Sequence, residues 1–476
     1  MAEPLFTKPL QIPKKGEKVY ELNAEEIHGI HGRRSIKWGL GPGMGGFSPL
    51  EIRDWVKAGA PLTSVDLMLT RGCNFKCEYC YVGELTPKEK LPFDKLTEII
   101  DDCIQVGVKV FILTGGEPFV YRDNKRSPLD VIEMIHQKYG KAGRSVKVSM
   151  FTDMGMITPQ IAQRLFDLQV ALCTKRDSLD PSVQDKILCV PGGMSMMEKG
   201  YANLFDVGYG SKEGPPITVN SVFSRDTMNG MIPLHRWVRG HGMEHSIVPI
   251  HYCGNAENDP QQEGITSVHV KALYEIVSLI DELEFDDPWP VYSAFSVNRT
   301  CNRNISGVHI RSNGDVTACS ESPSFNVDGS PIEDYVFGNV MNGDRLLDIA
   351  RSKKLKNHRE NFPQGYGDYI CNPEVCDLSA NDLCRGGCAT RSAYSRIDPV
   401  TGLIVQNTDR KMYSHRREDP LCPGWTNLAI KQNALKQGLY AQTLRDLLEP
   451  ARELLPRNMY DQLIKRLLDS PPQLRA

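Results

Sequence analysis

A chain of 476 residues is too long for one hydrophobic core, because single cores stop growing near roughly 250–300 residues, so two or three folded units are expected. Its 56 Lys and Arg against 59 Asp and Glu leave a formal net charge of −3, which removes the basic footprint of a nucleic-acid binder and makes pairs such as Arg33-Arg34 and Arg416-Arg417 solvated surface. The N-terminus shows no charged segment followed by an apolar one, and no run of about 18 apolar residues occurs, so a soluble cytoplasmic protein without a membrane partner is expected, its 14 cysteines serving as metal ligands and core thiols rather than a disulfide framework.

Residues 1–62 form an N-terminal extension with a Gly-rich stretch, Gly39 to Gly46, and a short helix over Pro49–Ala58 capped by Ser48. From Ser64 onward, apolar runs alternate with amphipathic helical patterns. The strands expected are Val65–Thr70, Lys109–Thr114, Ser145–Thr152, Val170–Lys175, Ile217–Phe223 and Ser246–His251. Phe93, Leu96, Ile99, Ile100, Cys103 and Ile104 share one helical face, which makes Cys103 a core residue. Further helices fit Thr158–Leu168, Met194–Val207, Ile232–His241 and Ser267–Leu283. Cys173 and Cys189 have no spaced partners and are expected to be buried thiols. Six strands with six crossovers read as a parallel α/β array, a fold that places its chemistry on the loops after the strand C-termini.

One such loop is Cys73-Asn-Phe-Lys-Cys77-Glu-Tyr-Cys80. Three thiolates this close can hold three irons of a [4Fe–4S] cube and leave the fourth iron open. A zinc knuckle or three structural thiols are the alternatives, but zinc takes four closed N/S ligands and no His or fourth Cys lies nearby. The spacing, with Tyr79 before the third cysteine, resembles the cluster signature of the radical S-adenosylmethionine (SAM) superfamily. That resemblance implies an open partial (β/α)6 TIM-like barrel and a cluster whose free iron chelates SAM. It also implies an external electron donor such as flavodoxin or ferredoxin, and reductive cleavage to a 5′-deoxyadenosyl radical that abstracts hydrogen from the substrate.

The second strand ends in Leu113-Thr-Gly-Gly-Glu-Pro118. Gly115 and Gly116 let the backbone approach a neighbour closely and Glu117 supplies an acceptor; a structural turn is the plain alternative. The segment resembles the family's GGE motif, which holds the SAM methionine amine. The third strand ends Met150-Phe-Thr-Asp-Met-Gly155, where relatives read Thr-Asn-Gly, so Thr152 matches and Asp153 departs. By the same resemblance Lys175 and Ser178 fall near the methionine carboxylate, and Asn220 and Ser221 where relatives contact SAM. A cap or a solvated loop charge is the alternative for each.

After a linker near Asp286–Pro290 the cysteines return: Cys301, then Cys319 beyond an Asn313-Gly314 hairpin signal, then Cys371-x4-Cys376-x7-Cys384-x3-Cys388, and Cys422. This order resembles the SPASM extension of radical SAM enzymes and implies one or two auxiliary [4Fe–4S] clusters. Cys371, Cys376, Cys384 and Cys422 would ligate a distal one; Cys301, Cys319 and Cys388 would ligate a proximal one that is a ligand short. Cys253, a substrate or water could complete it, or only one cluster forms. A zinc site of Cys371, Cys376, Cys384 and Cys388 is the alternative. The division expected is therefore 1–62, a barrel over 63–290, a Cys-rich auxiliary-cluster domain over 291–425 and a helical tail over 426–476. The tail's leucines dock onto its own chain or form a homodimer contact.

The first 62 residues are too short and Gly-rich for the peptide-binding winged helix of many SPASM enzymes, which favours a small-molecule substrate. The layout resembles radical SAM enzymes of aminoglycoside pathways, most of all the diol-dehydratase-like class that initiates C3′ deoxygenation of a paromamine-type pseudodisaccharide. Dehydration or dehydrogenation of an amino sugar is then expected. Its ammonium groups need carboxylates, and Asp153, Asp177, Glu244 and Glu257 lie near strand ends. Peptide crosslinking or formylglycine formation is the other enzymatic reading, and a non-catalytic iron–sulfur or zinc scaffold the reading from another class.

Overall fold

The computed structural model describes residues 62–211, 213–258, 265–288, 307–325, 330, 332, 335–358, 389–397, 404–406 and 438–469. The Gly-rich N-terminal stretch and the helix expected over Pro49–Ala58 lie outside them, as do Cys301, Cys371, Cys376, Cys384, Cys388 and Cys422.

In chain order, β1 (Ser64–Met68), β2 (Thr70–Arg71) and β3 (Thr86–Lys90) precede α1 (Phe93–Val106) and β4 (Val110–Thr114). Next come α2 (Pro128–Lys141), β5 (Lys147–Thr152), α3 (Pro159–Asp167) and β6 (Ala171–Lys175). They are followed by α4 (Pro181–Leu188), α5 (Gly193–Asp206), β7 (Ile217–Phe223), α6 (Met231–Gly240), β8 (Glu244–Pro249) and α7 (Ser267–Phe285). The third part holds β9 (Gly307–Ile310), β10 (Asp315–Thr317), β11 (Val336–Asn339), α8 (Leu346–Ala350), α9 (Ala389–Tyr394), β12 (Ser395–Ile397) and β13 (Ile404–Gln406). The tail holds α10 (Leu439–Leu448) and α11 (Arg457–Ile464).

All six expected barrel strands form. The last begins two residues earlier than the apolar run suggests, because Glu244 and His245 pair with Thr218 and Val219. Two helices the hydrophobic pattern had not marked, α2 and α4, each open on a cap followed by proline. Ser127 and Asp130 make a capping box before α2, and the Asp180 carboxylate accepts from Ser182 N at 2.8 Å before α4. Proline at the first helical position has no N–H to leave unpaired, which is why it suits these starts.

The main sheet runs β11-β10-β9-β1-β4-β5-β6-β7-β8, with β1 and β4 through β8 all parallel. Helices α2, α5 and α6 lie on one face of it. Phe111 of β4 packs edge-on to Tyr139 of α2, Thr174 of β6 is 2.8 Å from the Tyr201 hydroxyl of α5, and His245 of β8 is 3.1 Å from His235 of α6. Strand register puts those three positions on the same side of the sheet. Helices on a single face distinguish a barrel from a doubly wound sheet. The fold is thus an open partial (β/α)6 barrel.

Alternation then assigns the other face. Asp66, Ile112, Ser149 and Ala171 are neighbours across it, as are Phe151, Cys173, Thr218 and Glu244, and Lys175, Asn220 and Ser246. Beyond β1, the expected Asn313-Gly314 hairpin forms between β9 and β10, with Gly314 at φ +92°. β9 pairs in parallel with β1 and sets His309 opposite Asp66, so the region after the linker continues the barrel sheet.

The tail docks on its own chain. Leu444, Leu447 and Leu448 of α10 and Met459 and Leu463 of α11 are buried, and Arg466 meets Glu282 of α7 at 2.9 Å. Cys103 and Cys173 are buried as expected, but Cys189 is exposed. It ends α4 in a left-handed turn at φ +52°, which turns the residue out of the core. No helix among the described residues is long and apolar enough to cross a membrane.

Candidate cluster and cofactor site

The cysteine loop leaves β2 at the C-terminal rim of the barrel, and backbone contacts with three other segments hold it. Lys76 N and Glu78 N donate to Leu188 O and Ile187 O at the end of α4, both at 3.1 Å, and Cys80 N closes a turn on Cys77 O at 3.1 Å. From the loop after β8, Asn255 N donates to Cys80 O and Asn255 Nδ2 to Cys77 O, each at 2.9 Å. Cys73, Cys77 and Cys80 remain partly exposed.

The third contact is the Gly-Gly-Glu turn. Gly116 N donates to Thr70 O and Glu117 N to Gly72 O, both at 2.9 Å. A Cβ on Gly116 would stand 2.2 Å from Gly72 O, and one on Gly115 2.8 Å from Thr70 O. The neighbour these glycines approach is therefore the cysteine loop itself. Glu117 is wholly buried and its carboxylate accepts from Phe119 N at 2.9 Å, from Asp153 N at 2.8 Å and from the Thr152 hydroxyl at 3.1 Å. Burial, reinforced by the adjacent Asp153, holds Glu117 well above the usual carboxylate range. Asp153 is itself pushed up to about 6 by burial, against hydrogen bonds from Gly155 N at 2.8 Å and Asn74 Nδ2 at 3.3 Å. Its other oxygen lies 3.7 Å from Cys73 Sγ. Glu117, Thr152 and Asp153 thus brace the ends of β4 and β5 under the first cysteine.

Lys175 faces the barrel interior with its ammonium 4.7 Å from the centre of the Tyr79 ring and 2.7 Å from Asp177. Asp177 is fully buried and also accepts from the Tyr79 hydroxyl and from Val222 N at 2.7 Å. Asn220 is the cross-strand neighbour of Lys175 on the inner face. Ser178 and Ser221 are placed differently. Ser178 is buried with its hydroxyl accepting from Asp180 N at 3.0 Å, which forms the turn into α4. Ser221 points to the helix layer: its hydroxyl donates to Arg176 O and lies 2.8 Å from His245 Nε2. One residue of shift from Asn220 reverses the face, so Asn220 but not Ser221 reaches the inner wall. Gln184, which composition alone does not distinguish, accepts from both Asp177 N and Ser178 N at 2.9 Å and is fully buried on α4. A polar residue on the apolar face of a helix was the available signal.

The donor set fits an iron–sulfur cluster. Burial raises all three thiols, most for Cys73 and Cys77, while Lys175 acts in the opposite sense on Cys77 and Cys80 and Arg71 on Cys80. Thiols so buried lose their protons when a metal takes the proton's place. Among the described residues no three His, Cys, Asp or Glu side chains converge on a single metal ion; a cube takes each thiolate on a different iron and spreads them wider. Of the auxiliary cysteines, Cys319 is described. It ends the β9–β10 hairpin in a turn in which Cys319 N donates to the Ser322 hydroxyl and Ser322 N to Cys319 O, both at 3.1 Å.

Comparison with known proteins agrees with this arrangement. The sequence profile of the Radical SAM superfamily matches residues 67–211, and that of the SPASM iron–sulfur cluster-binding domain matches residues 301–386. The chain is 23% identical over 237 residues to a GTP 3′,8-cyclase of Rhizobium leguminosarum bv. trifolii, covering 49% of this chain and 64% of that enzyme, just under two thirds of its length. It is 25% identical over 249 residues to a GTP 3′,8-cyclase of Staphylococcus aureus, covering 49% and 67%. Among solved structures it is similar to native anSMEcpe with bound AdoMet, at TM-score 0.54 and 14% identity, covering 85% of this chain and 100% of that one. It is also similar to Streptococcus suis SuiB bound to precursor peptide SuiA, at TM-score 0.51 and 14% identity, covering 72% and 76%. At these identities the structures establish the fold alone. A radical SAM domain carries a [4Fe–4S] cluster and SAM, and a SPASM domain carries auxiliary iron–sulfur clusters.

Proposed function

We propose, from the premise that radical SAM and SPASM domains are both present, that the chain cleaves SAM reductively and removes hydrogen from a small amino-bearing substrate. The substrate class is an aminoglycoside or aminocyclitol intermediate, and the outcome is dehydration (deoxygenation) or dehydrogenation. The observation that carries this reading is the polarity of the inner barrel wall. Packed TIM barrels fill that wall with bulky branched apolar residues. Here Asp66, Ser149, Thr218, Asn220, Glu244, Ser246 and His309 share it with Lys175. Lys175 is held at 2.7 Å by Asp177, so Asp66 and Glu244 tilt the wall's charge negative. Ammonium groups complement carboxylates, and sugar hydroxyls complement Ser, Thr and Asn.

In this reading Cys73, Cys77 and Cys80 hold the first cluster, with Gly115, Gly116, Glu117, Lys175 and Asn220 around SAM and Thr152, on the helix-facing side of β5, holding the Glu117 carboxylate. Cys301, Cys319, Cys371, Cys376, Cys384, Cys388 and Cys422 serve the auxiliary centres. When bound, cluster and SAM supply a hydrogen-abstracting carbon radical, with the electron coming from an external donor such as flavodoxin or ferredoxin. The chain's residues position the substrate. Asp66 takes an ammonium group, and Asn220 and Ser246, cross-strand neighbours nearer the strand C-termini, take hydroxyls. A departing hydroxyl needs a proton, and His309 on the same wall, 3.9 Å from Asp66, can hold one.

The test is anaerobic incubation of the reconstituted full chain with SAM and reductant against a panel of amino sugars, their N-acetyl derivatives and synthetic peptides. Product and 5′-deoxyadenosine are measured together. Turnover of amino sugars that N-acetylation abolishes supports the reading; turnover of peptides alone overturns it. Peptide modification is the second reading, favoured by two proteins of similar fold solved with a peptide bound, Streptococcus suis SuiB with precursor peptide SuiA and native anSMEcpe with AdoMet and Cp18Cys peptide.

A further inference from the structure

The loop after β8 touches the cysteine loop at one end and the Cys319 turn at the other. At the first end, both donors of Asn255 hold the Cys77 and Cys80 carbonyls. Gly254, at φ +59°, lets this happen, since a Cβ there would stand 2.2 Å from Cys80 O. At the second end, His251 Nδ1 bonds Glu321, two residues beyond Cys319, while Arg391 Nη2 lies 2.8 Å from His251 Nε2. An arginine only donates, so Nε2 accepts and the ring proton sits on Nδ1, aimed at the carboxylate. Arg391 is 6% exposed and Thr390, 3.5 Å from Glu321, is 2% exposed, so the Arg391 end of this chain of bonds is buried.

We propose that Asn255, His251 and Arg391 are positioning residues of one strap that couples the geometry of the first-cluster loop to that of the auxiliary-cluster segment. This rests on the reading that both groups of cysteines hold iron. Three segments far apart in sequence, 249–255, 319–321 and 390–391, are joined through directional polar bonds that add to the apolar packing of Ile250 and Tyr252. Such contacts have discrete lengths and angles and transmit a displacement that a greasy interface absorbs. Moving Arg391 releases the ring of His251, and through the short stretch 251–255 changes how Asn255 grips the cysteine carbonyls.

The experiment is a double-mutant cycle on the full chain, reconstituted anaerobically: wild type, Asn255→Ala, Arg391→Ala and the double variant, with Arg391→Lys as a milder second substitution. Iron and sulfide per chain, the electron paramagnetic resonance spectrum of the reduced first cluster with SAM, and its midpoint potential are read for each. Coupling predicts that Arg391→Ala shifts the first-cluster spectrum and potential at full iron content, through the bonds Arg391 makes to Pro249 O and His251 at the other end of the strap. It also predicts that the same substitution adds nothing once Asn255 is alanine. Where a substrate turns over, product per 5′-deoxyadenosine falls by about tenfold or more, as expected for a small misplacement of the reacting groups. Additive shifts, or an unchanged first-cluster signal in both Arg391 variants, overturn the proposal. Absence of iron from the wild type instead overturns the reading on which it rests.

Discussion

Gly116→Ala is the sharpest perturbation of the cluster loop. The added Cβ would lie 2.2 Å from Gly72 O, 2.7 Å from Gly72 C and 2.9 Å from Cys73 Cβ. Even close carbon–oxygen contacts stand near ~3.3 Å, so the two backbones must part by about 1 Å. The hydrogen bonds Gly116 N to Thr70 O and Glu117 N to Gly72 O, both 2.9 Å, do not survive that separation. Their loss costs about 1 kcal/mol each and the overpacking about 1–3 kcal/mol. The strain falls on one loop, so the barrel stays folded while Cys73 moves off its position. Expected are an unchanged far-ultraviolet circular dichroism spectrum and a marked loss of iron, sulfide and the visible absorption of the first cluster. Gly140→Ala is the control: nothing lies within 4 Å of its Cβ, and in helix α2 alanine is favoured by about 0.5–1 kcal/mol. Full iron loading and normal SAM cleavage in Gly116→Ala would refute the assignment of the turn as the brace of the loop.

Three further outcomes are open to measurement. Asp281 is fully buried and accepts from Arg239 Nε at 2.9 Å and His235 Nε2 at 3.0 Å, so Asp281→Ala should cost about 3–5 kcal/mol in urea unfolding, and a loss under 1 kcal/mol counts against a buried ion pair there. Leu447→Ala, at 1% exposure in α10, should cost about 2–5 kcal/mol and raise hydrogen exchange in α10 and α7; faster exchange spread over the whole barrel would contradict a docked tail. Burial holds His136 below its ordinary range, against a raising contribution from a backbone hydrogen bond at Leu168. On acidification the unfolded chain then takes up the proton first, so stability should fall as pH drops below about 6.5. His136→Gln should reduce that acid-side loss, and identical pH profiles for the two proteins would remove His136 as its source.

The sequence disclosed those features whose signal is local. Apolar runs of six to eight residues marked the strands, and Cys73, Cys77 and Cys80 marked the loop after the first, because metal ligation demands particular residue types at short spacing. Helices α2 and α4 escaped a search for apolar periodicity, although their Ser127-Pro128 and Asp180-Pro181 starts carried the information in capping chemistry. Ser221 illustrates a harder limit. It sits beside Asn220 on a strand whose both faces are filled, so composition gives no preference, and only its bonds to Arg176 O and His245 show that it faces the helices. Cys189 escaped because burial there depends on a left-handed residue ending α4, a tertiary choice that a non-glycine residue does not advertise.

The Gly-Gly-Glu turn carries two demands at once. A motif shared with SAM-binding proteins invites the reading that each residue touches SAM, yet in this chain the backbone donors of Gly116 and Glu117 and the volume missing at both glycines are spent on Thr70, Gly72 and Cys73. The Glu117 carboxylate likewise holds the start of the next strand's loop through Asp153 N. A ligand gripped by an open iron must meet a loop already held in place, and beyond the buried Phe75 it is these backbone bonds that hold this one. The same residues therefore have to build the loop before they can serve the cofactor. Substitutions in this turn should accordingly lower cluster loading at least as much as they weaken SAM binding to the protein that still carries a cluster.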